Sequence, residues 1–216
     1  AVILAAGRGE RMCADARKAF LELAGRPLFA HAVEVFSLVP RVEEIIVVVH
    51  PNDLEAARSA VEPLVAAACF VAGGPTRRES SLAGIRAATG EIVLIHDGCR
   101  PLVSPALIER VLDGAERHGA VLPALPATET LYRLGDAEHR VGEVLDRSSI
   151  VRAQTPQGFR RPLILRCLEE ADPTITDNAS AVIARGTPVF IVEGEAANLK
   201  VTYPEDLRWA EAFADR

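Results

Sequence analysis

The chain has 216 residues, 49% hydrophobic and 25% charged, which is enough length and apolar content to bury a sizeable core and excludes a disordered polymer. Asp and Glu total 30 against 24 Lys and Arg, a net charge of −6 that argues against a nucleic-acid or anionic-membrane surface and confines any phosphate site to a local patch. The longest apolar runs, such as EIIVVVH, are far too short to cross a bilayer, and no secretory leader pattern opens the chain. Cys13, Cys69, Cys99 and Cys167 are scattered with no C-x-x-C, as expected of reduced cytosolic thiols, so the reading is a cytoplasmic protein. The chain does not open on Met, which is expected if a few residues precede Ala1.

In chain order, AVILAA, EEIIVVVH, CFVAG, EIVLIHD, AVLPALP and PVFIVEG read as strands. Most are apolar throughout rather than alternating, the pattern of parallel strands covered on both faces. Helical patterns lie between and after them: Phe29 to Leu38, Asp53 to Leu64, Thr76 to Thr89, Pro105 to His118, Pro162 to Glu170, Asp177 to Arg185 and Pro204 to Ala214. Pro105 and Pro204 stand where a first-turn proline is tolerated. This alternation predicts an α/β chain with a doubly wound, mostly parallel sheet and helices on both faces. Ligands of such sheets bind beyond the carboxyl ends of the strands. The polar segment from about 127 to 149 breaks the rhythm with two short alternating stretches around GDAEH, and reads as a β-hairpin projecting from a single 216-residue domain.

The opening AVILAAGRGERMCADARK runs from a strand into small residues, glycines and cations. Gly7 and Gly9 let the backbone approach a ligand closely, and the cations point to an anion. It is neither a P-loop nor a dinucleotide fingerprint, because no G-x-x-x-x-G-K-[ST] exists and Met12 takes the place of the third glycine. An ordinary tight strand-to-helix turn fits these residues as well. Lys occurs only at Lys18 and Lys200, all 22 other cations being Arg. A Lys ammonium is a compact point charge suited to one phosphate oxygen, whereas Arg is a planar fork. Asp97 ends an apolar strand, facing the expected crevice as a ligand for a metal or for sugar hydroxyls, or else serving as a turn aspartate. His96 reads as a packed, hydrogen-bonded core histidine, and Arg100 as a partner for Asp97 or a phosphate. In GGPTRRESS, Ser80 stands near a helix start, and in TDNAS, Thr176 reads as an N-cap. No nucleophile elbow and no metal-ligand spacing among the five His is present. A glycine-and-cation loop, two lysines and one strand-end carboxylate suit phosphoryl or nucleotidyl transfer, where catalysis is mostly positioning and charge stabilisation.

Taken together, AAGRGERM, RKAFLELAGRPL, GGPTRRESSLAGI, VLIHDGCRPLVS, DRSSIVRAQTPQGF, TDNASAV and VEGEAANLKVTYPEDL resemble the 2-C-methyl-D-erythritol 4-phosphate cytidylyltransferases of the non-mevalonate isoprenoid pathway, nearly end to end. The resemblance implies a Rossmann-like nucleotidyltransferase fold and a Mg²⁺-dependent transfer of CMP from CTP to the polyol phosphate. It implies that Arg11 and Lys18 grip the triphosphate and that Lys200 faces the α-phosphate. Ala5, Ala6, Gly7, Gly9, Gly74, Ser80 and Asp97 would surround the nucleotide. Asp97, Arg100, Thr130, Arg147, Thr155 and Thr176 would contact the polyol phosphate. Mg²⁺ would be held mainly by the CTP phosphates, with Asp97 as the candidate protein ligand. The hairpin would cross to the partner of a homodimer. The chain departs from the family pattern at Arg17, Glu129 and Tyr132, where proline, aspartate and lysine are usual. A sister enzyme for another polyol phosphate, such as ribitol 5-phosphate, and a non-catalytic nucleotide-binding module are the alternative readings.

Overall fold

A computed structural model describes residues 1–7, 18–136, 139–172 and 175–214. The elements follow the sequence pattern closely. Strand β1 (Val2–Leu4) leads through a 3₁₀ turn (Lys18–Phe20) and a short hairpin of β2 (Glu22–Leu23) and β3 (Arg26–Pro27) into helix α1 (Leu28–Ser37). Then come β4 (Ile46–Val49), α2 (Leu54–Val61), β5 (Cys69–Ala72), α3 (Arg77–Ala87), β6 (Ile92–Asp97), α4 (Pro105–His118) and β7 (Ala120–Pro126). The polar segment is indeed a hairpin, of β8 (Leu131–Leu134) and β9 (Val141–Leu145). The chain closes with β10 (Val151–Ala153), β11 (Gln157–Arg160), α5 (Arg161–Glu169), α6 (Asn178–Ile183), β12 (Phe190–Glu193) and α7 (Pro204–Ala214).

Helix α4 shows why the boundaries were legible. The Ser104 hydroxyl accepts from Leu107 N–H at 3.0 Å, Pro105 occupies the first turn, and Gly119 ends the helix at φ 82°, in the left-handed region that favours glycine. Helix α3 begins with a capping box: the Thr76 hydroxyl accepts from Glu79 N–H, and the Glu79 carboxylate accepts from Thr76 N–H. Thr76, not Ser80, is therefore the capping hydroxyl. The N-cap of α6 is Asp177, whose carboxylate accepts from Ser180 N–H at 3.2 Å, so the expected cap at Thr176 is one residue too early. A carboxylate is the stronger acceptor for orphan helix N–H groups.

Strands β1, β4, β5 and β6 pair in parallel, in the order β5-β4-β1-β6. Beyond β6 runs β11, antiparallel, and then β7. Along β7, β10 and β11 lie end to end on one side, while β12 pairs in parallel with Val121 through Ala124 on the other. The antiparallel pieces β10 and β11 were not anticipated, because VRAQTPQGFR is short, polar and interrupted by Pro156. The period-2 strand geometry splits β4 between two cores: Val47 and Val49 face the layer of α1, α2 and α4, while Ile46 and Val48 face α3, α5 and α6. All four are buried, which is why the run carries no polar residue. A third, smaller cluster of Leu23, Leu28, Val201 and Ala210 seats α7 beside the short hairpin.

The chain leaves β1 toward β4 and leaves β6 toward β7, in opposite directions across the sheet. The carboxyl ends of β1 and β6 therefore flank the point where the winding reverses, the usual ligand position in such sheets. The β8–β9 ribbon forms a separate two-stranded sheet with Leu134, Val144, Val141 and Tyr132 exposed.

Candidate active site

A cleft of about 640 Å³ opens at that reversal point. Its floor is the end of β1 and the residues after it (Leu4 to Gly7), and its walls are Gly73 and Gly74 after β5, His50 after β4, Asp97 at the end of β6 and Cys99 just beyond it. Lys18 enters from the 3₁₀ turn and Lys200 from the loop between β12 and α7. The two lysines of the chain, 182 positions apart by number, thus face one cavity. Ala5, Ala6, Gly7, Gly74, Ser80 and Asp97 line it together, and Gly9 and Arg11 lie outside the described residues.

Close packing fixes the backbone here. A Cβ on Gly98 would stand 2.9 Å from Phe29 Cβ and 3.0 Å from the Leu4 carbonyl, so only glycine lets the β6 exit lie against β1. Gly98 N–H donates to Leu4 O at 2.9 Å and joins the two strand ends. Ser80, in the second turn of α3, donates to Gly74 O at 3.3 Å and holds the glycine turn on the helix.

Asp97 is the one carboxylate among the described lining residues. Lys200 Nζ donates to its Oδ2 at 2.7 Å and Arg77 Nη2 to its Oδ1 at 3.0 Å. Burial favours the protonated acid, but the Arg77 and Lys200 cations outweigh it and hold the carboxyl far below the usual carboxylate range. Arg100 does not pair with Asp97. Its Nη1 donates to Asn198 O at 2.7 Å, because the chain turns after Cys99 and aims the guanidinium into the protein. Burial lowers the Lys18 pKa, and Lys200 pushes the same way against the opposing influence of Cys99 and Asp97. Burial and the Asp97 charge push the Cys99 thiol up. The cleft thus sets Lys18, Lys200 and Arg77 against one carboxylate, a local cationic surplus in a chain of net charge −6.

Thr155 is buried beneath the site. Its hydroxyl accepts from Asp97 N–H at 3.0 Å and lies 3.2 Å from His96 Nδ1. His96 Nε2 faces the Arg100 carbonyl at 3.0 Å, which only accepts, so Nε2 carries the proton and Nδ1 receives the Thr155 hydroxyl. The expectation of a packed, hydrogen-bonded histidine holds: His96 is fully buried, and burial lowers its pKa to about 4. Thr130, Arg147 and Thr176 do not line the cleft. Thr130 and Arg147 stand at the base of the ribbon, with Arg147 Nη1 donating to Thr128 O at 2.7 Å.

Arg77 was not singled out in the sequence. TRRES offers two adjacent arginines, and only the helix phase separates them. Arg77 reaches Asp97, whereas Arg78, about 100° around the axis, donates to the Leu168 and Glu169 carbonyls. His50 was missed too; it follows β4 and caps the next turn, its Nδ1 accepting from Asn52 N–H.

A doubly wound sheet with a cationic cleft at its reversal point, walled by glycine turns and lysines, defines the class: a Rossmann-like α/β protein with its cleft where such sheets bind ligands. The family model "IspD: 2-C-methyl-D-erythritol 4-phosphate cytidylyltransferase" matches residues 1–216, and the chain belongs to that family. A Geobacillus kaustophilus protein named 2-C-methyl-D-erythritol 4-phosphate cytidylyltransferase is 41% identical over 223 residues, covering 99% of this chain and 95% of that protein. A bifunctional enzyme IspD/IspF from Anaeromyxobacter dehalogenans is 40% identical over 99% of this chain, which spans 56% of that longer protein. The crystal structure of the 2-C-methyl-D-erythritol 4-phosphate cytidylyltransferase from Thermus thermophilus superposes with a TM-score of 0.81 at 34% identity, covering 100% of this chain and 98% of that one.

Proposed function

We infer that the chain transfers CMP from CTP to 2-C-methyl-D-erythritol 4-phosphate, giving 4-diphosphocytidyl-2-C-methyl-D-erythritol and pyrophosphate. The observation that carries this reading is the convergence of Lys18, Lys200 and Arg77 on Asp97 in the reversal-point cleft of a chain of this family. A phosphate oxygen of the polyol phosphate attacks the CTP α-phosphorus, a P–O bond forms, the bond to the β-phosphate oxygen breaks, and pyrophosphate departs with that electron pair. The attacking oxygen is already anionic, so no general base is needed. The difficulty is crowded negative charge, and fixed ammonium and guanidinium groups address it without reorganising.

In this reading Lys18 and Arg11 hold the triphosphate and Lys200 faces the α-phosphate. Ala5, Ala6 and Gly74 approach the nucleoside through their backbone. A Mg²⁺ held mainly by the CTP phosphates asks for little more than one protein carboxylate, and Asp97 faces the cleft. No cluster of three metal-binding side chains exists among the described residues, and Mg²⁺ typically takes one or two carboxylates plus substrate phosphates. Asp97 would be that carboxylate, and the ion would neutralise triphosphate charge. Thr130 and Arg147 stand at the base of the exposed ribbon and do not line the cleft of their own chain, which supports a homodimer in which each ribbon completes the partner's site. No described helix is long and apolar enough to cross a membrane, in keeping with a cytoplasmic enzyme.

Pyrophosphate release from CTP tests the reading, with methylerythritol phosphate and ribitol 5-phosphate supplied separately. Release with the first acceptor is expected. Release with ribitol 5-phosphate alone would move the chain to the sister activity, and CTP binding without release would make it a nucleotide-binding module.

A further inference from the structure

Lys200 stands on a loop, residues 194–203, yet its Nζ meets Asp97 at 2.7 Å. What holds the loop is Asn198, fully buried two residues before the lysine. Asn198 Nδ2 donates to the Thr155 carbonyl at 2.8 Å. Its own carbonyl accepts from Arg100 Nη1 at 2.7 Å and from Gln154 Nε2 at 3.3 Å. Thr155 in turn takes the Asp97 N–H on its hydroxyl. One residue after Lys200, Val201 N–H donates to Cys99 O at 2.9 Å. Both members of the Lys200–Asp97 pair are thereby tied to Thr155, one through Asn198 and one through the Asp97 backbone.

We propose that Asn198 is a positioning residue, which fixes Lys200 opposite Asp97 by joining the lysine loop to Thr155 and Arg100. The proposal rests on the reading above for the role of Lys200. An aliphatic side chain at 198 leaves the Thr155 carbonyl without this donor in a buried site, and the backbone must shift to recover a partner. Displacing a charge by about 1 Å costs on the order of a hundredfold in rate. A residue that only supports the fold would lower stability without acting through Lys200.

Two measurements test it. The first is a double-mutant cycle on kcat with Asn198→Ala and Lys200→Ala. Asn198→Ala alone is expected to lower kcat about ten- to a hundredfold, and in the Lys200→Ala background to change it by less than about twofold. Equal losses in both backgrounds would overturn the proposal. The second needs no activity. With ¹³Cε-lysine the chain gives two lysine signals, Lys18 and Lys200, assigned by Lys→Arg variants. Asn198→Ala should move the Lys200 signal to the free-lysine position and leave Lys18 in place. An unmoved Lys200 signal in the folded variant would overturn the proposal. If Asn198→Ala does not fold, Asn198→Leu, closer in volume and without the donor, takes its place. Wild-type protein that releases no pyrophosphate would sink the functional reading, and the lysine signal would still decide the role of Asn198.

Discussion

Lys200 Nζ lies 2.7 Å from Asp97 Oδ2, although 103 positions separate the two residues in sequence. The pair closes one side of the cleft, Arg77 binds the other carboxylate oxygen, and Lys18 faces them from the 3₁₀ turn. Replacing either lysine by alanine is expected to lower kcat by at least about a hundredfold, the scale of losing one preorganised charge partner. Lys18→Arg should fail nearly as badly, since a planar fork does not fit a point-charge site. Steady-state pyrophosphate release checks this, and near-normal turnover in either alanine variant would remove the assigned roles.

Asp97→Asn keeps shape and removes charge. Turnover is expected to fall at least about tenfold. Arg77 and Lys200 are partly exposed and can rehydrate, so stability should fall by less than for a fully buried pair that loses one partner. The Asp97 pKa is depressed in the folded state, so its contribution is full above the ordinary carboxylate value near 4 and fades as pH falls below it. The stability gap between wild type and variant should therefore close below about pH 4. Denaturant melts at two pH values measure it; a gap that widens in acid would contradict the ion-pair assignment.

His96 also weakens the fold on acidification, over a higher pH range. Burial holds it neutral in the fold, with a pKa of about 4 against an ordinary 6.5. Between those values the unfolded chain binds a proton that the folded chain refuses, so stability is full above pH 6.5 and declines toward pH 4. The decline attributable to His96 is about 3 kcal/mol. His96→Asn should flatten the pH dependence of stability across that window while lowering stability at pH 7. An unchanged slope in the variant would show that other groups dominate.

The ribbon of β8 and β9 bears on the assembly. Two strands alone are marginal in water, and exposed Leu134, Val141 and Val144 call for a covering surface. If two copies exchange ribbons about a two-fold axis, Arg147 of one completes the site that contains Lys18 of the other. Arg147→Ala and Lys18→Ala, each nearly inactive alone, should regain roughly a quarter of wild-type activity on mixing, because about half the dimers are mixed and each holds one intact site. No recovery after proven subunit exchange, or a monomer by light scattering, would refute the shared site.

The local chemistry of this chain was legible in its sequence. An apolar run with no polar interruption, as in β4, marked a strand covered on both faces, and Pro105 marked the start of α4. The two lysines stood out against 22 arginines, and Asp97 at a strand end pointed at the crevice. What the tertiary structure alone decided were the partnerships. Arg77 rather than Arg100 hydrogen-bonds Asp97, because helix phase and the turn after Cys99 aim one guanidinium into the cleft and the other at Asn198. Asp177 rather than Thr176 caps α6, and the broken strand of β10 and β11 enters the sheet antiparallel, through contacts with β7 and β6. Sequence periodicity reports which face of an element is apolar. It carries no information on which distant polar group a side chain meets, because that depends on how the elements pack.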